Sequence, residues 1–202
     1  MSHGAPGSAT VVVFHSMFGL RAAEHTAAQQ LRVAGHQVVV PDLFGGAVAG
    51  RGAIPTIDDG FALMDAIGWP VIVERARAAV RDLPDDTVLC GLSMGAGVVG
   101  AIWPERLDAA AVILLHAPLI VPRGARPATP VQVHVAVDDP FAPADQLAAF
   151  HASATSADVD ASLYTYPGAG HLFTDPDSPD YDGVAADRAW RRVGALLAAL
   201  RR

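Results

Sequence analysis

Short β-branched apolar runs alternate along this chain with longer Ala-rich stretches of helical period. The runs are ATVVVFH (9–15), HQVVVPD (36–42), TVLCGLS (87–93), AAVILLHAP (110–118), VQVHVAV (131–137) and SLYTYPG (162–168). Most are continuously apolar, which predicts strands covered on both faces, as in a parallel sheet. Helices are predicted near 20–34, 70–83, 94–106, 143–153 and 183–201. In the last, Ala189, Val193, Leu196, Leu197 and Leu200 recur at the spacing of one helix face. This alternation predicts a doubly wound, mostly parallel α/β sheet of about six strands flanked by helices. In such a sheet crossovers are right-handed, and the site lies beyond the carboxyl ends of the strands.

The longest stretch predicted to be irregular is 43–69. It follows a strand end and so borders the site, either as a functional loop or small lid or as a plain surface loop. The connection 119–130 is too short to hold a cap domain.

Length and composition narrow the picture. The chain has 202 residues, which predicts a single domain over 1–202. It is 51% hydrophobic, which excludes a disordered chain. A net charge of -7 with no basic run argues against nucleic acid as a partner and against an anionic membrane surface. Cys90 is the sole cysteine, so neither an intrachain disulfide nor a cysteine-based metal site is available. The first apolar run is only as long as a strand, which predicts no signal peptide or membrane span and a cytoplasmic location.

The strongest chemical signal is Gly91-Leu92-Ser93-Met94-Gly95. It matches G-x-S-x-G, follows a strand and precedes a helix, the context of a nucleophile elbow. The turn is so sharp that side chains flanking the serine would clash. The following helix turns its positive end toward a forming oxyanion. Serine needs a base, and the chain order Ser…Asp…His points to His171, in the glycine-rich loop after the last run. The acid that orients the imidazole should follow the fifth run, which ends in Val137-Asp138-Asp139-Pro140. Asp139 is favoured over Asp138, because Pro140 holds its predecessor extended at the start of the turn. The oxyanion hole needs two backbone N–H groups. Met94 supplies one, and Met17, in the loop after the first run, is the candidate for the other. Phe18, Phe44, Trp69, His116, Phe141 and Phe173 are candidates to line the substrate pocket.

Other patterns have plainer readings. Gly95-Ala-Gly97-Val-Val-Gly100 matches the dinucleotide fingerprint, but the tight turn is already taken by the elbow. The next strand ends in ILLHAP, without an acid for a ribose. His15 and His116 end strands but lack metal-ligand spacing, so they are read as site lining or hydrogen-bonded structure, with no metal. Cys90, within a strand, is read as an inert buried thiol.

With these residues in place the chain resembles the dienelactone hydrolase family. The matching pieces are VVVFHSMFGLR, VVVPDLFGG, GLSMGAG, DDPFAP and YPGAGHLF, with Tyr181-Asp182…Ala186…Ala189-Trp190 in the last helix. The resemblance implies an α/β-hydrolase fold without a large cap domain. Its D-P-x-x-P pattern places the acid at Asp139. The dienelactone hydrolases proper carry cysteine where this chain has Ser93, and a glutamate where it has Ser16. They hold the substrate carboxylate with arginines, one shortly after the histidine. Here that stretch reads Phe173-Thr174-Asp175, and 43–69 offers only Arg51.

The reading is a serine hydrolase of a small carboxylic ester, lactone or thioester, needing no cofactor and working as a monomer or small homo-oligomer. Acyl transfer on the same fold and a non-catalytic ligand-binding relative are the alternatives.

Overall fold

The computed structural model describes residues 8–50 and 54–200. Strands β1 (Thr10–Phe14), β2 (Gln37–Val39), β3 (Val88–Leu92), β4 (Val112–Leu115), β5 (Pro130–Ala136) and β6 (Asp160–Tyr166) form one sheet in the order β2-β1-β3-β4-β5-β6. All five pairings are parallel. The helices are α1 (Ala22–Val33), α2 (Ile57–Ile67), α3 (Trp69–Val80), α4 (Met94–Ile102), α5 (Ala144–Ser156) and α6 (Gly183–Ala199).

Alternate strand residues point to opposite faces of the sheet, and both faces are covered. Val12, Phe14, Leu89 and Leu114 pack with Ile72 and Ala76 of α3, Val98 and Val99 of α4 and Phe150 of α5. Val11, Val13, Cys90 and Ile113 pack with Leu31 of α1 and with Ala189, Val193 and Leu197 of α6. Two-sided burial is why the strand sequences are continuously apolar. The amphipathic face of α6 is the one its sequence spacing picks out. Its start is set by Asp182, whose carboxylate accepts from the N–H groups of Val184 (2.9 Å) and Ala185 (3.0 Å).

The strand order creates the site. From β1 the chain winds outward to β2, then crosses back to β3 on the other side of β1. The switch point therefore lies between β1 and β3, where a crevice opens beyond the strand ends. Pairing there sets Phe14 level with Gly91. The loop after β1 and the turn after β3 thus emerge side by side.

The stretch 43–69 is not wholly irregular: α2 occupies Ile57–Ile67. Thr56 Oγ1 accepts from Asp59 N (3.2 Å), and the Asp59 carboxylate accepts from Thr56 N (2.9 Å), a reciprocal capping box. Gly68, at φ 89°, ends the helix and turns the chain into α3. The predicted helix 94–106 stops at Ile102, and a single 3-10 turn spans Trp103–Glu105. Pro104 accounts for the change, because it lacks the N–H that an α-helix would need there. Among the described residues there is no cap domain.

Candidate active site

The turn after β3 is as tight as its glycines suggest. A Cβ on Gly91 would lie 2.3 Å from the Gly95 carbonyl oxygen, and one on Gly95 would lie 2.3 Å from that of Phe14. Either contact would push the turn away from the sheet. Between them Ser93 is held at φ 53° and ψ -111°, outside the regions that L-residues favour. Its N–H donates to Leu115 O (2.8 Å), and its carbonyl accepts from Ala96 N (2.8 Å). The strain is thus held in place by bonds to the neighbouring strand and to α4.

Three residues 78 and 32 positions apart in sequence meet at this turn. Ser93 Oγ donates to His171 Nε2 at 2.9 Å. His171 Nδ1 donates to Asp139 Oδ2 at 2.8 Å. The acceptor-only carboxylate fixes the tautomer and leaves the Nε2 lone pair facing the serine. Asp139 Oδ1 accepts in turn from Phe141 N (2.9 Å), so the acid is itself oriented. All three side chains are buried. Asp138 is exposed, in the left-handed turn position at φ 60°.

Met94 follows the serine at the start of α4, and Met17 lies in the loop after β1, the strand paired with β3. Neither N–H has a protein acceptor among the described residues. The loop before Met17 is heavily bonded. Ser16 N and Oγ both donate to Glu24 Oε1 on α1, at 3.3 and 3.2 Å. Glu24 is almost fully buried, and burial pushes its carboxyl above the usual range. A cavity of about 10 Å³, room for about one water, lies against Ser16, Glu24, His116, Thr174 and Asp175.

The aromatic candidates divide into two groups. Trp69 and Phe141 are accessible: Trp69 is 40% exposed beside Gly97, and the half-buried Phe141 ring lies 4.4 Å from the His171 ring. Phe18, Phe44, His116 and Phe173 are buried. Phe44 meets His15 edge-on at 4.7 Å, and Phe18 lies under the Arg21 guanidinium. Phe173 stands between His116 (5.0 Å) and Tyr166 (4.7 Å) in the core. His116 meets the His171 ring at 5.8 Å and bonds Thr174 Oγ1 through Nε2 (2.8 Å). Burial, then the neighbouring His171, hold it well below the usual histidine range, so it is neutral.

The sequence reading missed Phe61. This residue of α2 is 44% exposed, with its ring 6.4 Å from that of Phe141. The helical spacing of Ile57, Phe61, Met64 and Ile67 after the Thr56–Asp59 box was the available signal. Helix α2 rests on the loop after β1 through Gly60, where a Cβ would come 2.7 Å from Met17 Cγ. The acid after the histidine is also different from its sequence appearance. Asp175 is buried in an ion pair with Arg21. Arg51 lies outside the described residues. Burial pushes the Cys90 thiol up to about 12, which suits an inert core residue.

The family model for the dienelactone hydrolase family matches residues 2–200. The chain belongs to the dienelactone hydrolase family. Membership makes it a hydrolase of the α/β-hydrolase fold. Solved structures agree on the fold. A dienelactone hydrolase-like promiscuous phosphotriesterase from metagenomic libraries is 23% identical, covers 99% of this chain and 88% of its own, and has a TM-score of 0.72. Esterase PE8 is 18% identical over 96% of this chain and 95% of its own, with a TM-score of 0.58. A thioesterase domain from the curacin biosynthetic pathway is 16% identical over 96% and 92%, with a TM-score of 0.60. No curated protein matches the sequence at a significant level. Among the described residues no helix is long and apolar enough to cross a membrane.

Proposed function

We propose that this hydrolase cleaves uncharged carboxylic esters, lactones or thioesters through an acyl-enzyme on Ser93. The observation that carries the reading is the unbroken hydrogen-bond chain Ser93 Oγ–His171–Asp139 at the strand ends. Ser93 Oγ attacks the substrate carbonyl while His171 Nε2 takes its proton. Asp139 stabilises the imidazolium so formed. The N–H groups of Met17 and Met94 receive the oxyanion. His171 then protonates the leaving alcohol or thiol as the C–O or C–S bond breaks. In the second half, water gives a proton to His171 and attacks the acyl carbon, and Ser93 Oγ leaves with that proton. Every proton and electron pair in this scheme comes from Ser93, His171, water and substrate.

Phe61 and Phe141, which expose aromatic surface beside His171, support an apolar acyl or leaving group, and Trp69 adds exposed aromatic surface beside α4. The test is a fluorophosphonate probe with intact-mass and peptide mapping, run in competition with an ester and lactone panel. One adduct on Ser93, blocked by the preferred substrate, is expected. Ser93→Ala should lose on the order of 10³ to 10⁶ in turnover while remaining folded. A folded Ser93→Ala enzyme with wild-type ester hydrolysis would overturn the reading.

A further inference from the structure

The loop from β1 to α1 and the first turn of α1 carry two buried titratable side chains that the scheme above does not use, His15 and Glu24. Both bond the same residue, Ser16. His15 Nε2 accepts from Leu43 N (3.0 Å), which leaves its proton on Nδ1. That Nδ1–H donates to the Ser16 carbonyl at 2.7 Å. The same carbonyl accepts from Gly19 N at 3.2 Å. On the other side of Ser16, its N–H and hydroxyl both donate to Glu24 Oε1 (3.3 and 3.2 Å). Glu24 Oε2 accepts from Arg21 N (3.0 Å), so the carboxylate is anchored to the start of α1. The Ser16 hydroxyl accepts from Phe18 N at 3.4 Å.

The geometry of the peptide bond gives these contacts a consequence. The Ser16 carbonyl and the Met17 N–H belong to one planar, trans peptide and point in opposite directions. Holding the carbonyl therefore aims the N–H. Holding Ser16 N and Oγ as well fixes the plane before it, so the Ser16–Met17 peptide cannot rotate between its neighbours. Met17 N–H is left free of any protein acceptor among the described residues.

We propose that His15 and Glu24 are positioning residues that clamp the Ser16–Met17 peptide and thereby aim the Met17 N–H as an oxyanion donor. This rests on the serine-hydrolase reading above. Neither residue touches substrate. His15 works from the β2 side, through Leu43 and its edge-on contact with Phe44 at 4.7 Å, and Glu24 works from α1. The arrangement costs the burial of two polar side chains on either side of one short loop, and what it supplies is direction. A donor misaimed by about an ångström loses most of its value to a transition state while ground-state binding barely changes.

The experiment compares Glu24→Gln, His15→Asn, the double variant and Ser16→Ala with wild type. The substrate is a nitrophenyl butyrate. The second readout is inhibition by an alkyl trifluoromethyl ketone, whose adduct with the serine carries an oxyanion. Expected for Glu24→Gln and His15→Asn is a kcat lower by about tenfold to a hundredfold with KM within about twofold. Ketone affinity should fall in proportion to kcat/KM. The double variant should lose less than the product of the two single losses, because both act on one peptide. Ser16→Ala deletes only the hydroxyl contacts and serves if a charged-site variant fails to fold; its kcat and ketone affinity should fall together by about threefold or more. Any of these variants that is folded but keeps kcat and ketone affinity within about twofold of wild type overturns the clamp. Ser93→Ala run alongside separates the two failures: an active Ser93→Ala enzyme overturns the serine mechanism itself.

Discussion

Asp139 Oδ2 lies 2.8 Å from His171 Nδ1, while the adjacent acid, Asp138, is exposed at the surface of the same turn. The two acids are one residue apart and differ in everything that matters to an imidazole. Asp139→Asn would turn an acceptor into a group that also donates, and so favour the wrong tautomer of His171. A loss on the order of 10² to 10⁴ in kcat is expected for Asp139→Asn, and a change within about threefold for Asp138→Asn. Steady-state kinetics of the two purified variants checks this, and the reverse ranking would move the acid to Asp138.

Thiol reagents and organophosphates should act on this protein in opposite ways. Cys90 lies inside β3, fully buried, with its thiol pushed up to about 12. Very little thiolate exists there near neutral pH, and no reagent reaches it without unfolding. Iodoacetamide should leave ester hydrolysis intact over hours, while a fluorophosphonate should abolish it with one adduct per chain. Stoichiometric alkylation at Cys90 with parallel loss of activity is the contrary result.

Much of this site was readable from the sequence, because its strongest constraints are local. The elbow is a five-residue steric problem, and Gly91 and Gly95 announce its solution. The order Ser…Asp…His follows from strand order. The strands show because two-sided burial demands unbroken apolar runs. What could not be read depends on contacts across the chain. Arg21 and Asp175 are 154 residues apart, and nothing near either one names the other. Phe173 looks like a pocket residue from its place beside His171, yet its side chain turns into the core behind His116. Helix α2 was hidden for a different reason. The Gly- and Pro-rich segment before it reads as a loop, and that impression carries past the capping box at Thr56.

Acid should destabilise the fold through histidines held neutral in the interior. His134 bonds the Tyr166 hydroxyl through Nδ1 (2.8 Å) and Gln132 Oε1 through Nε2 (3.2 Å). Burial, then the charge of Arg192, lower it from 6.5 to about 3. The unfolded chain therefore takes up its proton near 6.5 and the folded chain does not. The stability from keeping His134 neutral is fully present above 6.5 and is lost as the pH falls toward about 3, on the order of a few kcal/mol. His116 adds in the same direction. Denaturant midpoints measured from pH 7 to pH 4 should fall, and His134→Phe should fall less steeply than wild type. Equal slopes for the two proteins would remove His134 from the account.

Substrate charge gives the last expectation, and the Arg21–Asp175 pair changes its basis. In the sequence, Asp175 after the histidine suggests direct repulsion of a substrate carboxylate. In the structure its charge is matched by Arg21, so that repulsion is largely cancelled. The pair has a second effect. Arg21 ends the loop after β1, and its guanidinium is committed to Asp175 while lying over the Phe18 ring at 5.0 Å. Prising it away would leave a buried carboxylate without its counter-charge, held only by the Asp177 N–H (2.9 Å), at a cost of about 3–5 kcal/mol. The accessible aromatic surface beside His171 comes from Phe141 and, next to it, Phe61. A substrate carboxylate placed there gives up water without gaining a partner, while a neutral acyl chain gains apolar contact. The kcat/KM of a neutral short-chain ester or lactone should therefore exceed that of a carboxylated lactone of similar size by tenfold or more. Matched kinetics on the two substrates measures the ratio. If the carboxylated lactone is preferred by tenfold and Arg51→Ala removes that preference, a cation from the 43–69 segment serves the site, and the substrate is an anionic lactone.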